Sequence, residues 1–176
     1  NELFDFPLLR YVREVEDSKA LSGHNGPAVI IAASGMVEAG RILHHLAAGI
    51  GDRLANRSFV IDPRGEIRAR YDKIHLFDVD LPTGESWRES PVYRHGHEAV
   101  VVKGTPVGTL GLAICYDLRF PALFARLAEA NADVIAVPAA FTVPTGRAHW
   151  EVLLRARAIE AGLFIVAAAQ SGHHED

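Results

Sequence analysis

At 176 residues, 49% hydrophobic and 23% charged, the chain is long enough to bury one real core and has the composition of a soluble globular protein. Eighteen Lys and Arg against 22 Asp and Glu give a net charge of −4, which removes the electrostatic case for nucleic acid or an anionic membrane surface as partner. No apolar run approaches the ~18 residues that cross a bilayer, and the single cysteine, Cys115, excludes an internal disulfide framework and points to a reducing, cytoplasmic setting.

The opening NELFDFPLLRYVREVED has no basic stretch followed by an apolar one, so no signal peptide is expected in it. Leu8, Leu9, Val12 and Val15 recur at helical spacing, and SGHNGP then breaks the chain. PAVIIAASG predicts a short buried strand, and EAGRILHHLAAGIG a helix with Ile42, Leu43, Leu46 and Ile50 on one side. RSFVIDPRGEIRARYD alternates as two strands around a Pro-Arg-Gly turn. LPTGESWRESPVYRHGHE is polar and turn-rich and is expected to be a long loop. AVVVKGTPVGTLGLAIC predicts two strands separated by Gly-Thr-Pro. PALFARLAEANA predicts an amphipathic helix, ADVIAVPAA a buried strand, HWEVLLRARAIEAG a second helix and LFIVAAAQ a further buried strand. This alternation of strand and helix predicts an α/β sandwich.

Cys115 falls where a buried strand gives way to a turn and then to a helix beginning near Pro121. That geometry exposes a side chain at a sheet edge and brings backbone donors close to it, as nucleophile elbows do. A buried structural cysteine fits the same position. Lys73, in RYDKIHLFDVD, would supply an ammonium that favours the thiolate, although a lysine there is ordinarily a solvated one. Asp117 and Arg119 directly after the cysteine are candidates to steady the turn by an ion pair.

The segments RLANRSFVIDPRGEIRARYDKIHLFDVDL, GESWRES and GLAICYDLRFPALFARLAEANADVIAVPAAFTVPTGRAHWEVLLRARAIEAGLFIVAAAQ resemble the nitrilase, or carbon–nitrogen hydrolase, superfamily, over about residues 53–176. Within it the chain looks most like the Nit-type, deaminated glutathione amidase-like branch, with ω-amidases as near relatives. The resemblance implies a nitrilase-like αββα sandwich, incomplete at both ends, and a homodimer or higher homo-oligomer. It implies hydrolysis of a small amide through an acyl-thioester, with no metal or organic cofactor. By motif match Cys115 is the nucleophile, and Lys73 together with the backbone N–H of Tyr116 stabilises the oxyanion. Glu89 in the RES element positions the lysine and the substrate. Asp117 and Arg119 are structural residues near the site.

Residues 1–52, read as a helix–strand–helix segment ahead of the partial hydrolase domain at 53–176, resemble instead the β-CASP RNA nucleases, through SGMVEAGRILHHL. The zinc-binding HxHxDH motif of those nucleases is absent from the sequence. His44 with His45, His95 with His97, and His173 with His174 are expected to be ordinary histidines rather than ligands. The general-base glutamate of the nitrilase family comes from an early βα unit, and Glu38 stands nearer to Lys73 than that glutamate should. A second reading follows: a catalytically inactive truncated or chimeric hydrolase fold, or a nuclease remnant carried by residues 1–50.

Overall fold

The structure, a computed structural model, describes residues 54–80, 84 and 86–170. The elements expected over residues 1–52, with Glu38, His44 and His45, and also His173 and His174, lie outside the described residues.

After a short strand β1 (Leu54–Ala55), strands β2 (Arg57–Ile61) and β3 (Ile67–Asp72) form the antiparallel hairpin expected from the alternation, with Ser58 opposite Tyr71. Its turn is closed by Asp62, whose Oδ1 accepts the N–H groups of Arg64 (2.9 Å) and Glu66 (3.0 Å). Gly65 supplies the positive φ (+82°) that this turn needs. At the open end Arg57 grips the Asp72 carboxylate with Nε and Nη2, the latter at 2.8 Å.

The segment expected to be a long loop is partly strand. Strand β4 (Asp78–Asp80) pairs antiparallel with β5 (Ser86–Arg88), and β6 (Tyr93–Arg94) pairs parallel with β1. Trp87 sits opposite Val79, and the Arg88 guanidinium reaches across to the Asp80 carboxylate (2.7 and 2.9 Å) and the Val79 carbonyl (3.0 Å). Cross-strand pairs of this kind stabilise short ladders. A three-residue strand between turn residues has too few positions to display a period.

Strands β7 (Val101–Thr105) and β8 (Gly108–Leu112) form the second hairpin. Strand β8 then pairs parallel with β9 (Val134–Ala136), and β9 with β10 (Phe164–Val166), in the order β10-β9-β8-β7. The two parallel crossovers carry the helices. Helix α1 (Pro121–Glu129) starts on a proline, where the missing N–H costs nothing, and buries Leu123, Phe124 and Leu127. Helix α2 (Glu151–Ala161) follows helical turns at Val143–Thr145 and Gly146–Trp150 and ends at Gly162 in the left-handed conformation, φ 63°. Strand β9 is buried at every position, and Leu110, Leu112, Leu118, Phe124, Leu127, Ile135 and Val137 form the core between sheet and helices. Covered parallel strands of this kind are the mark of an α/β fold. Among the described residues no helix is long and apolar enough to cross a membrane.

Candidate active site

The chain leaves β8 through the buried Ala113 and Ile114 and enters a tight 3₁₀ turn, Cys115–Arg119, immediately before α1. Cys115 begins this turn with φ +47°, a backbone region that costs a non-glycine residue about 1–3 kcal/mol unless its surroundings impose it. The surroundings do. The Cys115 N–H donates to the Pro138 carbonyl at 2.9 Å, beyond the end of β9. That bond commits the cysteine's own amide.

Asp117 supplies the second restraint. Its fully buried carboxylate accepts four donors: Ile114 N–H (2.9 Å) and Tyr71 O–H (2.6 Å) at Oδ2, His75 N–H (3.0 Å) and His75 Nδ1 (2.8 Å) at Oδ1. The expected ion pair between Asp117 and Arg119 is not formed. Asp117 turns inward to the end of β3, where several donors converge. Arg119 instead lies over the rings of Tyr116 and Phe141, 5.9 and 5.5 Å from their centroids. Burial and the Asp117 charge together push the Tyr71 phenol far above its usual range, so it stays a donor.

Lys73 follows β3 directly, with its N–H on the Asn56 carbonyl and its own carbonyl accepting from Gly96, both at 2.8 Å. The expectation of a solvated lysine is overturned: the residue is 1% exposed and its Nζ donates to Glu89 Oε2 at 2.7 Å. Glu89 closes β5, and the same Oε2 accepts the Phe77 N–H at 2.8 Å. Burying this pair carries a desolvation penalty that a surface pair avoids, so its placement serves something other than stability alone.

The structure brings these residues together electrostatically. Burial pushes the Cys115 thiol above its ordinary value, the Lys73 ammonium pulls it down, and the charges of Glu89 and Asp117 push it up again. The net direction is upward. The resting group is therefore a thiol, with Sγ 3.5 Å from the Ala140 carbonyl as its acceptor.

Sequence reasoning missed Tyr71, His75 and Phe120. The His75 ring stacks on Phe120 at 3.6 Å with a 7° interplanar angle, and Tyr116 meets Phe120 and Phe77 edge-on. The aromatic run in YDKIHLFD was the available signal for Tyr71 and His75, whereas Phe120 lies outside it. His95 and His97 meet edge-on at 4.5 Å, and no group of three or more His, Cys, Asp or Glu among the described residues is placed to hold a metal ion.

The carbon–nitrogen hydrolase family matches residues 8–176. The chain belongs to that family. The match extends beyond the expected 53–176 and takes in residues 8–52, most of the segment set apart above as β-CASP-like. A deaminated glutathione amidase of Yersinia enterocolitica is 55% identical over 124 residues, which are 70% of this chain and 43% of that protein. The crystal structure of the Caenorhabditis elegans NitFhit protein superposes with a TM-score of 0.64 at 46% identity, covering 70% of this chain and 30% of that one. A mutant of the Nesterenkonia sp. amidase, with the acetamide moiety of fluoroacetamide added covalently at its active-site cysteine, superposes at 0.56 and 26% identity, covering 67% and 42%. This carbon–nitrogen hydrolase chain thus spans less than half the length of these relatives, and its α/β fold is the nitrilase-like one.

Proposed function

We propose that this carbon–nitrogen hydrolase domain cleaves small amides, with Cys115 as nucleophile. The observation that carries the proposal is the buried Lys73–Glu89 ion pair, whose ammonium acts electrostatically on a cysteine held in a left-handed elbow. Sγ attacks the amide carbonyl carbon, and the proton it gives up goes to the amide nitrogen. Glu89 holds and aims the ammonium, its Oε2 accepting from Lys73 Nζ and from the Phe77 N–H. Lys73 and the Tyr116 N–H meet the developing oxyanion. The C–N bond breaks, the nitrogen leaves with the proton as ammonia, and an acyl-thioester remains. Water then adds, the C–S bond breaks, and the carboxylic acid departs as the thiol reforms.

A small ω-amide of the deaminated-glutathione type is the substrate class we favour, on the strength of the 55% identical Yersinia relative. We read the setting as cytoplasmic, since a single free cysteine fits a reducing compartment. We read the partner as a second copy of the chain, which the solvent-facing Val152 and Ile159 on α2 and Phe164 on β10 support. Ammonia release from a series of small ω-amides tests the reading. Cys115→Ala should abolish it and remove the acyl adduct from the intact-protein mass. Hydrolysis that survives Cys115→Ala would overturn the mechanism.

A further inference from the structure

We propose that Arg157, on α2, is a positioning residue that holds the Cys115 turn in its strained conformation. The guanidinium reaches from the helix layer to the Leu118 carbonyl, Nε to O 3.1 Å, across 39 positions of sequence. Leu118 lies within the turn and is fully buried. Arg119 in the turn also meets His149 Nδ1 at 3.4 Å, ahead of α2, and further bonds tie the turn to strand-side elements. Asp117 ties it to Tyr71 and His75, and the Cys115 N–H ties it to Pro138. Arg157 therefore completes a clamp with one jaw on the strand side and one on the helix side.

The guanidinium is itself fixed in position and plane. Nη1 donates to Glu160 Oε2 at 2.7 Å, and Cζ lies 5.8 Å from the centroid of Phe124 on α1. Arg157 is only 6% exposed, although its partner Glu160 is a solvent-facing residue one turn along the same helix. A surface i,i+3 pair would leave both groups in water at little gain. This one draws the arginine inward, at a desolvation penalty, onto a turn carbonyl. A planar fork that makes two directed bonds at once is what arginine offers and lysine does not. Residues held in unfavourable backbone regions persist only where the surrounding structure over-determines them. Without the Leu118 contact, the turn relaxes toward ordinary φ and Sγ leaves its half-buried place beside the Ala140 carbonyl.

The activity half of the test rests on the amidase reading, whereas the thiol half does not. Because Cys115 is the chain's single cysteine, its alkylation by iodoacetamide reports on this turn alone. Both halves are read on Arg157→Met and Arg157→Lys at a temperature where circular dichroism shows them folded. In Arg157→Met the alkylation midpoint should move down toward that of an ordinary thiol. Its kcat for the amide should fall about tenfold with KM within about twofold of the parent. Arg157→Lys keeps the charge and the Glu160 pair and is the variant to read if Arg157→Met does not fold; it should shift in the same direction by a smaller step. A folded variant of either kind with the parental alkylation profile and parental kcat overturns the proposal, and lowered thermal stability without a shifted profile makes Arg157 merely structural. If the parent releases no ammonia, the amidase reading fails while the alkylation profile still decides the role of Arg157.

Discussion

The Tyr71 hydroxyl donates to Asp117 Oδ2 at 2.6 Å, joining the last turn-ward residues of β3 to the loop that carries Cys115. Both groups are fully buried, and the bond spans 46 positions. It connects the strand that delivers Lys73 with the turn that delivers the thiol. Any change in that bond should therefore be felt at both.

Tyr71→Phe tests this directly. The carboxylate keeps its three other donors, but one bond to a buried charge is lost, worth about 1.5–3 kcal/mol. A drop of about 2 kcal/mol in unfolding free energy, from urea titration, is expected, with hydrolysis reduced but not abolished. Asp117→Asn should cost more, since an amide cannot accept all four donors. Parental stability in Tyr71→Phe would contradict the linkage.

The Lys73–Glu89 pair separates stability from function. Lys73→Met leaves a buried carboxylate without its cation and should destabilise by about 3–5 kcal/mol. Pairing it with Glu89→Gln should recover much of that stability by removing the stranded charge. Activity should behave differently, falling at least about a hundredfold in both variants, because in the proposed mechanism the oxyanion then lacks its ammonium. In Lys73→Met the thiol should also rise further, because its main downward influence is gone. Alkylation followed against pH would show this as a midpoint displaced to higher pH.

Acid stability should report on Asp72. Arg57 holds the Asp72 carboxyl below its usual range, through a two-pronged contact at the open end of the first hairpin. The unfolded chain takes up this proton near the ordinary value of about 3.9, before the folded chain does. The stabilisation is thus present above that value and is lost as pH falls through the lower, folded one. In Asp72→Asn the acid limb of the stability curve should flatten. Denaturant midpoints measured at descending pH would check it, and an unchanged limb would refute it.

Gly96 should tolerate nothing larger. A Cβ there would meet the Asp72 carbonyl oxygen at 2.1 Å and its carbon at 2.8 Å, and backbone cannot swing aside as a side chain can. The Gly96 N–H also holds the Lys73 carbonyl. Gly96→Ala should therefore cost about 3 kcal/mol or more and displace Lys73. Loss of hydrolysis together with a lowered melting temperature is the expected result.

Much of the fold was legible locally. The two hairpins, α1, β9, α2 and β10 all follow from period and turn residues, since each element's pattern lies within its own dozen or so positions. The β4–β5 ladder was not legible, because its partners are three residues long and embedded in turn composition. At the site, the wording around Cys115, Lys73 and Glu89 was enough to single these residues out. The environment of each was not, and the reading of Asp117 as a partner for Arg119 went astray for that reason: adjacency in sequence is poor evidence of contact when a turn points the two side chains apart.

By itself the sequence determined the two hairpins, α1, β9, α2 and β10, the family resemblance and the residues proposed to carry the chemistry, all of which reside in short contiguous words. Only the tertiary structure decided that Lys73 is buried against Glu89, that Asp117 gathers Tyr71 and His75, and that Arg157 reaches Leu118. These contacts join positions 16 to 46 residues apart. Their energies depend on desolvation and on which donors converge at one carboxylate or carbonyl, quantities that exist only once separate elements have packed.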